Sequence, residues 1–272
     1  MEILISDSIS ADLKDLFWNV FFKSKNRGVT LEHHFPWLDN SLKNVIFFEA
    51  KISSVTVAGL VLRKKKYKVN EKFFEIGMIG LVCVSATNRG TGIATELLTT
   101  TIEFSKKRNY DYLTLWTSQH HIYSKHNFYV LDKWNYGWIK TESCLEYSNR
   151  NQIYIDKSVS EIKSAPIPPF ATAIYEYALG NCSFMLTKDH VGDIIICHKG
   201  NPDDLALFMI HSLPDRWRLN ALENDPLTSA LTRHGANVKL SPANLQMWLN
   251  LNLENQSDLI LKEIAIPFLD RI

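Results

Sequence analysis

The stretch "MIGLVCVSATNRGTGIATELL", residues 78–98, runs from an unbroken apolar segment through two glycines into an amphipathic repeat. The apolar segment reads as a buried strand. Beyond the glycines, Ile93, Leu97 and Phe104 form one row, and Ala94, Leu98 and Ile102 form the next. That spacing gives a helix to about Lys107 with a single apolar stripe, which must be buried against a sheet. "KKRN" places cations at the helix's negative end, with Asn109 as the cap. A strand, a glycine turn and a helix in immediate succession point to a mixed α/β fold.

The turn raises a chemical question. A helix N-terminus offers free N–H groups and a partial positive charge, and so attracts phosphate. Glycine there admits a left-handed backbone and close approach of a ligand. A nucleotide P-loop needs GxxxxGK followed by Ser or Thr, and no lysine follows either glycine. The dinucleotide fingerprint fits poorly. Thr95 stands at its third place, and Asp111 lies at the start rather than the end of the next strand.

Upstream, Leu13, Leu16, Phe17, Val20 and Phe21 share one helical face, and a short helix is expected in "VTLEHHFPWL". "NVIFFEA", "VTVAGLVLRKK" and "FFEIGMIGLVCV" read as successive antiparallel strands joined by short turns. Downstream come strand "YLTLWT", a short helix around "HHIYSKHN" and strand-like "FYVLDKWNYGWIK". "SAPIPPFATA" then breaks the pattern with clustered prolines. The two domains are expected over 1–157 and 158–272. The second half reads strand "SFMLTK", strand "GDIIICHK", helix "DDLALFMIHSL", strand "DRWRLNAL", helix "PLTSALTRHG", strand "NLQMWLNL". This order matches the first half from its second strand, and "LTRHGA" aligns with "YSKHNF", which suggests a degenerate repeat.

Arg89-Gly90-Thr91-Gly92-Ile93-Ala94 fits Arg/Gln-x-x-Gly-x-Gly/Ala after a strand and opening a helix. In these residues the chain resembles the GNAT superfamily of acyl-CoA-dependent N-acyltransferases. Tyr123 and Phe128 match its second signature, with Asn127 where glycine is usual. The run from Leu115 through Ser118 to Tyr123 is similar to the Eis group, which also carries a second, degenerate acyltransferase-like unit. The resemblance implies a mostly antiparallel, splayed central sheet flanked by helices, followed by a degenerate companion of the same kind. It implies acetyl-CoA as co-substrate. Arg89 to Ala94 would cradle the coenzyme A pyrophosphate, and main-chain groups of Val82, Cys83 and Val84 would hold the pantetheine arm. Ser118 would lie near the acetyl-CoA, and Tyr123 would be the proton donor.

Acetyl transfer to an amine poses two proton problems. A lysine-like amine is neutral in only about one part in a thousand at pH 7. A base must help, and Glu49, Glu75, His33, His34 and His120 are the candidates. The departing thiolate needs an acid, which Tyr123 supplies. A backbone N–H near Val84, freed by a β-bulge, would polarise the carbonyl. The alternative is a non-catalytic acyl-CoA-binding module.

Thirty basic against twenty-nine acidic residues give no electrostatic case for nucleic acid or an anionic membrane. No HExxH or CxxC spacing suggests a metal. Four scattered cysteines, no membrane-length apolar run and no basic n-region give the expectation of a cytoplasmic protein with reduced thiols. The basic hairpin "LRKKKYKVNEK" is expected to block edge pairing rather than bind a ligand. The second half has no glycine turn, opens its helix with Asp203 and Asp204, and has Leu231 where the first has Tyr123. It is expected to cover the sheet, shape the acceptor cleft or make a homodimer.

Overall fold

The computed structural model describes residues 1–25, 28–38, 44–141, 158–162, 166–252 and 258–271. In chain order the elements are β1 (Glu2–Ser6), α1 (Ala11–Phe21), α2 (Leu31–His34), β2 (Val45–Ile52), β3 (Val55–Val69), β4 (Lys72–Val84) and α3 (Ile93–Lys107). They continue with β5 (Tyr112–Trp116), α4 (His120–Ser124), β6 (Tyr129–Val130), β7 (Trp134–Thr141), β8 (Ser158–Glu161), β9 (Ile174–Leu179), β10 (Cys182–Lys188) and β11 (Asp193–Lys199). The last are α5 (Pro202–Ser212), β12 (Arg216–Leu222), α6 (Pro226–Arg233), β13 (Ala236–Pro242), β14 (Gln246–Asn250) and α7 (Asp258–Glu263).

Two compact units emerge. The first is Met1–Asp132, Asn244–Ile266 and Asp270–Ile272; the second is Lys133–Ala243 and Pro267–Leu269. The expected partition at 157/158 differs from this division. β7 lies before the expected boundary yet pairs with β12 and β13, while β14 lies after it yet pairs with β5 and β6. "FYVLDKWNYGWIK" is therefore two strands in two sheets, and "NLQMWLNL" belongs to the first sheet. β1, β8, β9 and β13 are strands that sequence patterning does not pick out.

Each sheet has seven strands, in the orders β1-β2-β3-β4-β5-β14-β6 and β8-β9-β10-β11-β12-β7-β13. The orders correspond strand for strand. In both, one pair is parallel (β4 with β5, β11 with β12) and every other pair is antiparallel. This is the expected mixed α/β, mostly antiparallel architecture, and it occurs twice. Asn127 (φ 64) and Gly235 (φ 86) hold the same left-handed place after α4 and α6, so "YSKHNF" and "LTRHGA" are equivalent turns.

In the first unit, α3 buries Ile93, Leu97 and Leu98 against Phe48, Ala50, Leu60, Leu62 and Ile79. Full burial of each leucine contributes roughly 1.5–3 kcal/mol. Thr101 and Ser105 are also buried there. Each donates its hydroxyl to the carbonyl four residues back, at 2.8 Å. On the other face, Leu13 and Phe17 of α1 pack on Phe47, Val61 and Cys83. β2 pairs with β3 only as far as Arg63, so among the described residues Lys65 to Val69 of the basic hairpin pair with β4 alone and leave their other edge open. Lys64 and Lys66 pair with Glu75, Lys65 with Asp270 and Lys68 with Glu71, so neighbouring carboxylates balance its charge.

Candidate functional site

The parallel pairing of β4 with β5 covers only Ile76–Met78 against Tyr112–Thr114. Beyond it, β4 runs on to Val84 and β5 to Trp116 with no further pairs between them among the described residues. The strands have splayed. On its other side β4 is bulged: Val61 pairs with Gly80 and Gly59 with Cys83, so Leu81 and Val82 together oppose Leu60. Leu81 takes φ 51, a left-handed conformation that costs an ordinary L residue roughly 1–2 kcal/mol. A bulge re-aims backbone groups. This is the device expected near Val84, and it sits two to four residues earlier.

After β4 the chain turns at Asn88–Gly92. The turn is braced internally: Thr91 Oγ1 donates to the Asn88 carbonyl (2.7 Å), and Asn88 Nδ2 donates to Ser85 Oγ (2.9 Å). Gly90 and Gly92 take φ 78 and φ 86. Gly92 is the N-cap of α3, and no side chain caps that end. No backbone N–H from Arg89 to Thr95 finds an acceptor among the described residues. A Cβ built on Gly90 or Gly92 would meet no atom within 4 Å. The helix end is thus open, with donors facing space that only glycine leaves clear. Arg89 Nε donates to the Val84 carbonyl (3.3 Å), which joins the turn to the end of the splayed strand. Arg89 and Thr91 are exposed, Ala94 is half-buried and Ile93 is anchored in the core. An open helix end of this kind suits an anion.

Val82 and Val84 are half-buried at the splay. Cys83 is buried toward α1, and burial pushes its thiol up to about 12. A thiol held there stays protonated at neutral pH and serves packing. Ser118 is exposed in the bend after β5. Tyr123, on α4, is 9% exposed, packed against Phe128 with ring centroids 6.2 Å apart. Its hydroxyl makes no hydrogen bond among the described residues. Burial raises its pKa, which favours the protonated hydroxyl.

The candidate bases separate by their partners. Glu49 accepts a hydrogen bond from Thr56 and lies 3.4 Å from Lys51 Nζ. Burial pushes the Glu75 carboxyl up, but Lys64 and Lys66 outweigh it and hold the group below its usual range. His34 is buried and stacked on Phe22, with centroids 4.7 Å apart. His33 bonds Thr30 on α2 (3.0 Å). His120 is the one that shares α4 with Tyr123, and its Nε2 lies 2.7 Å from the Asn244 carbonyl oxygen. That contact spans 124 residues and carries no local sequence signal. Among the described residues no cluster of histidine, cysteine or acidic side chains could hold a metal. Among the described residues no helix is long and apolar enough to cross a membrane.

The second unit keeps the scaffold and closes the site. β11 and β12 also pair briefly, Ile194–Ile195 with Arg218–Leu219, and Ile196 of β11 is the extra residue of a bulge. But Asn201 caps α5 itself, its Oδ1 accepting from Asp203 N (3.0 Å) and Asp204 N (3.3 Å). Asp203 and Asp204 add negative charge where a phosphate needs positive. His198 at the end of β11 pairs with Asp225, just beyond β12, at 3.0 Å (Nε2 to Oδ2). A histidine–carboxylate contact bridges the position of the splay.

Residues 7–131 match the family model of the acetyltransferase (GNAT) domain. The fold is shared with a GCN5-related N-acetyltransferase from Anabaena variabilis (TM-score 0.62, 14% identity, 93% of this chain and 74% of that one). It is shared likewise with Eis1 from Mycobacterium abscessus (TM-score 0.60, 12% identity, 93% and 75%). A conserved protein of Enterococcus faecalis titled a probable N-acyltransferase is similar too (TM-score 0.61, 9% identity, 93% and 74%). No curated protein sequence matches the chain.

Proposed function

We propose, from the premise that residues 7–131 carry a GNAT acetyltransferase domain, that the protein moves an acetyl group from acetyl-CoA to an amine. The observation that carries this reading is the pair of openings that meet at residues 78–93. They are an uncapped helix end with a run of free N–H groups and a sheet splayed beside it. The first suits a pyrophosphate, and the second admits an extended acyl arm.

The residues divide the work. The N–H groups from Arg89 to Thr95, with the Arg89 guanidinium, hold the phosphates. Val82, Cys83 and Val84 offer main-chain groups to the pantetheine arm, and a donor freed at the bulge polarises the thioester carbonyl. Ser118, exposed just after β5, is assigned to the acetyl-CoA. Tyr123 protonates the departing thiolate. An ordinary tyrosine gives its proton to a thiol-like group of pKa 8.5 uphill by roughly 2 kcal/mol. Burial adds to that cost. The second unit lacks the cradle and the tyrosine and does not repeat the chemistry.

The test is acetyl-CoA-dependent thiol release over a panel of aminoglycosides, amino sugars, polyamines and peptides. Tyr123→Phe is expected to lower kcat about 10²–10⁴-fold while acetyl-CoA binding stays unchanged. Acetyl-CoA binding with no thiol release for any amine sinks the enzyme reading in favour of a binding module. The reading also predicts a protein of the cytoplasm that contacts neither nucleic acid nor membrane.

A further inference from the structure

His120 and Tyr123 stand three residues apart on α4, so they face one way, with Cβ atoms roughly 5–6 Å apart. Both follow the end of β5, one of the two strands that splay. A carbonyl oxygen only accepts hydrogen bonds, so the 2.7 Å contact fixes the proton of His120 on Nε2. The lone pair is then on Nδ1. Neutral imidazole with one nitrogen anchored to an acceptor is the form that takes a proton.

The anchor is itself held. Asn244 takes a left-handed φ of 51 just before β14. Leu245 and Gln246 donate their N–H groups to Asp132 Oδ2 at 2.8 and 3.1 Å. Thr117 N donates to the Leu245 carbonyl (2.8 Å), which ties the same segment to the end of β5. Three contacts thus hold the segment just after Asn244 against Asp132 and the end of β5, and the Asn244 carbonyl in turn holds the ring of His120.

We propose that His120 is the general base of the reaction, its tautomer set by the Asn244 carbonyl. This rests on the acetyltransferase reading above and supplies the role that reading leaves open. The proton balance is complete. The amine nitrogen bonds the acyl carbon, and its surplus proton passes to His120 Nδ1. The C–S bond breaks, and the sulfur takes the proton of Tyr123. Water then returns the proton from imidazolium to phenolate between turnovers.

The decisive variant is His120→Gln. Its terminal amide can still donate to the Asn244 carbonyl but offers no basic nitrogen. The expected result is a kcat lowered about 10²–10⁴-fold, with acetyl-CoA affinity and thermal midpoint unchanged. His120→Ala should lose activity equally, and added imidazole should restore at least about ten-fold of it. His121→Gln, on the exposed neighbour, should behave as wild type. A kcat for His120→Gln within about three-fold of wild type, while Tyr123→Phe is inactive, overturns the inference and leaves the enzyme reading standing. An activity loss in His120→Ala that imidazole does not touch, with a matching fall in thermal midpoint, overturns it in favour of a structural role. A wild-type protein that binds acetyl-CoA but acetylates nothing removes both.

Discussion

Replacing Gly92 by alanine isolates the cradle from the fold, because the structure separates the two costs. Gly92 takes φ 86 and ψ −3, and its added Cβ would touch no atom within 4 Å. The fold therefore loses only backbone conformational energy, roughly 1–2 kcal/mol for an L residue held left-handed. In a domain of this size that lowers the thermal midpoint by about 2–8 °C. The cofactor loses more. The methyl occupies the space in front of the N–H groups, and each charge-assisted hydrogen bond displaced costs about 1.5–3 kcal/mol. Loss of one or two such bonds raises the acetyl-CoA Kd roughly 10- to 10⁴-fold. Gly180 supplies a matched control: it also has positive φ (56) and open space at its Cβ, but it turns the hairpin between β9 and β10 in the second unit. Calorimetric titration with acetyl-CoA, paired with thermal unfolding, reads both quantities. Gly180→Ala should cost similar stability and no affinity. Equal affinities for Gly92→Ala and wild type would refute the assignment of this turn to the pyrophosphate.

Two further outcomes test the scaffold. Trp248 on β14 is 1% exposed, donates its Nε1–H to the Leu131 carbonyl (3.0 Å) and meets Tyr112 edge to face. Trp248→Ala should cost about 3–5 kcal/mol in urea unfolding of the first unit, although residue 248 lies beyond the second. In the second unit, the Arg218 guanidinium forks onto Asp189 and holds its carboxyl down at about 2. A depressed folded-state pKa stabilises above the unfolded value and is lost as pH falls through the folded one. The contribution should therefore be intact above about pH 4 and fade toward pH 2. Asp189→Asn should flatten that part of the pH–stability curve.

Local features of the fold were legible because each rests on local physics. The stripe of α3, the strands around it and the left-handed Asn109 follow from periodicity and capping. The motif from Arg89 to Ala94 shows in the chain because glycine is the residue that leaves both the angle and the space. What could not be read is pairing across distance. β14 reads as an ordinary buried strand. Nothing in "QMWLN" says that its partners are β5 and β6 rather than β12 and β13. The anchoring of His120 by Asn244 depends on that placement and was hidden with it. β1 was missed for a different reason: it is an edge strand with exposed residues on both faces, so its five residues lack the alternation that marks a half-buried strand.

The exchange of β7 and β14 has a physical consequence for the active unit. Strand β5 carries the chain to Ser118 and Tyr123, and on the side away from β4 its partner is β14. Thr114 Oγ1 donates to the Met247 carbonyl (2.9 Å) and accepts from Gln246 Nε2 (3.1 Å), contacts spanning 133 and 132 residues. Gln246 and Thr114 are both buried, so neither finds water if the strand is absent. Until residues 246–250 arrive, β5 lacks a neighbour there, and α4 lacks the carbonyl that fixes His120. Contacts this far apart in sequence form late, because closure of the intervening chain must precede them. The active unit therefore cannot complete itself from the first 132 residues. The second unit has lost the cradle and the tyrosine, yet the chain must pass through it to deliver the strand that finishes the site. That requirement gives the degenerate half a reason to persist that involves no ligand of its own.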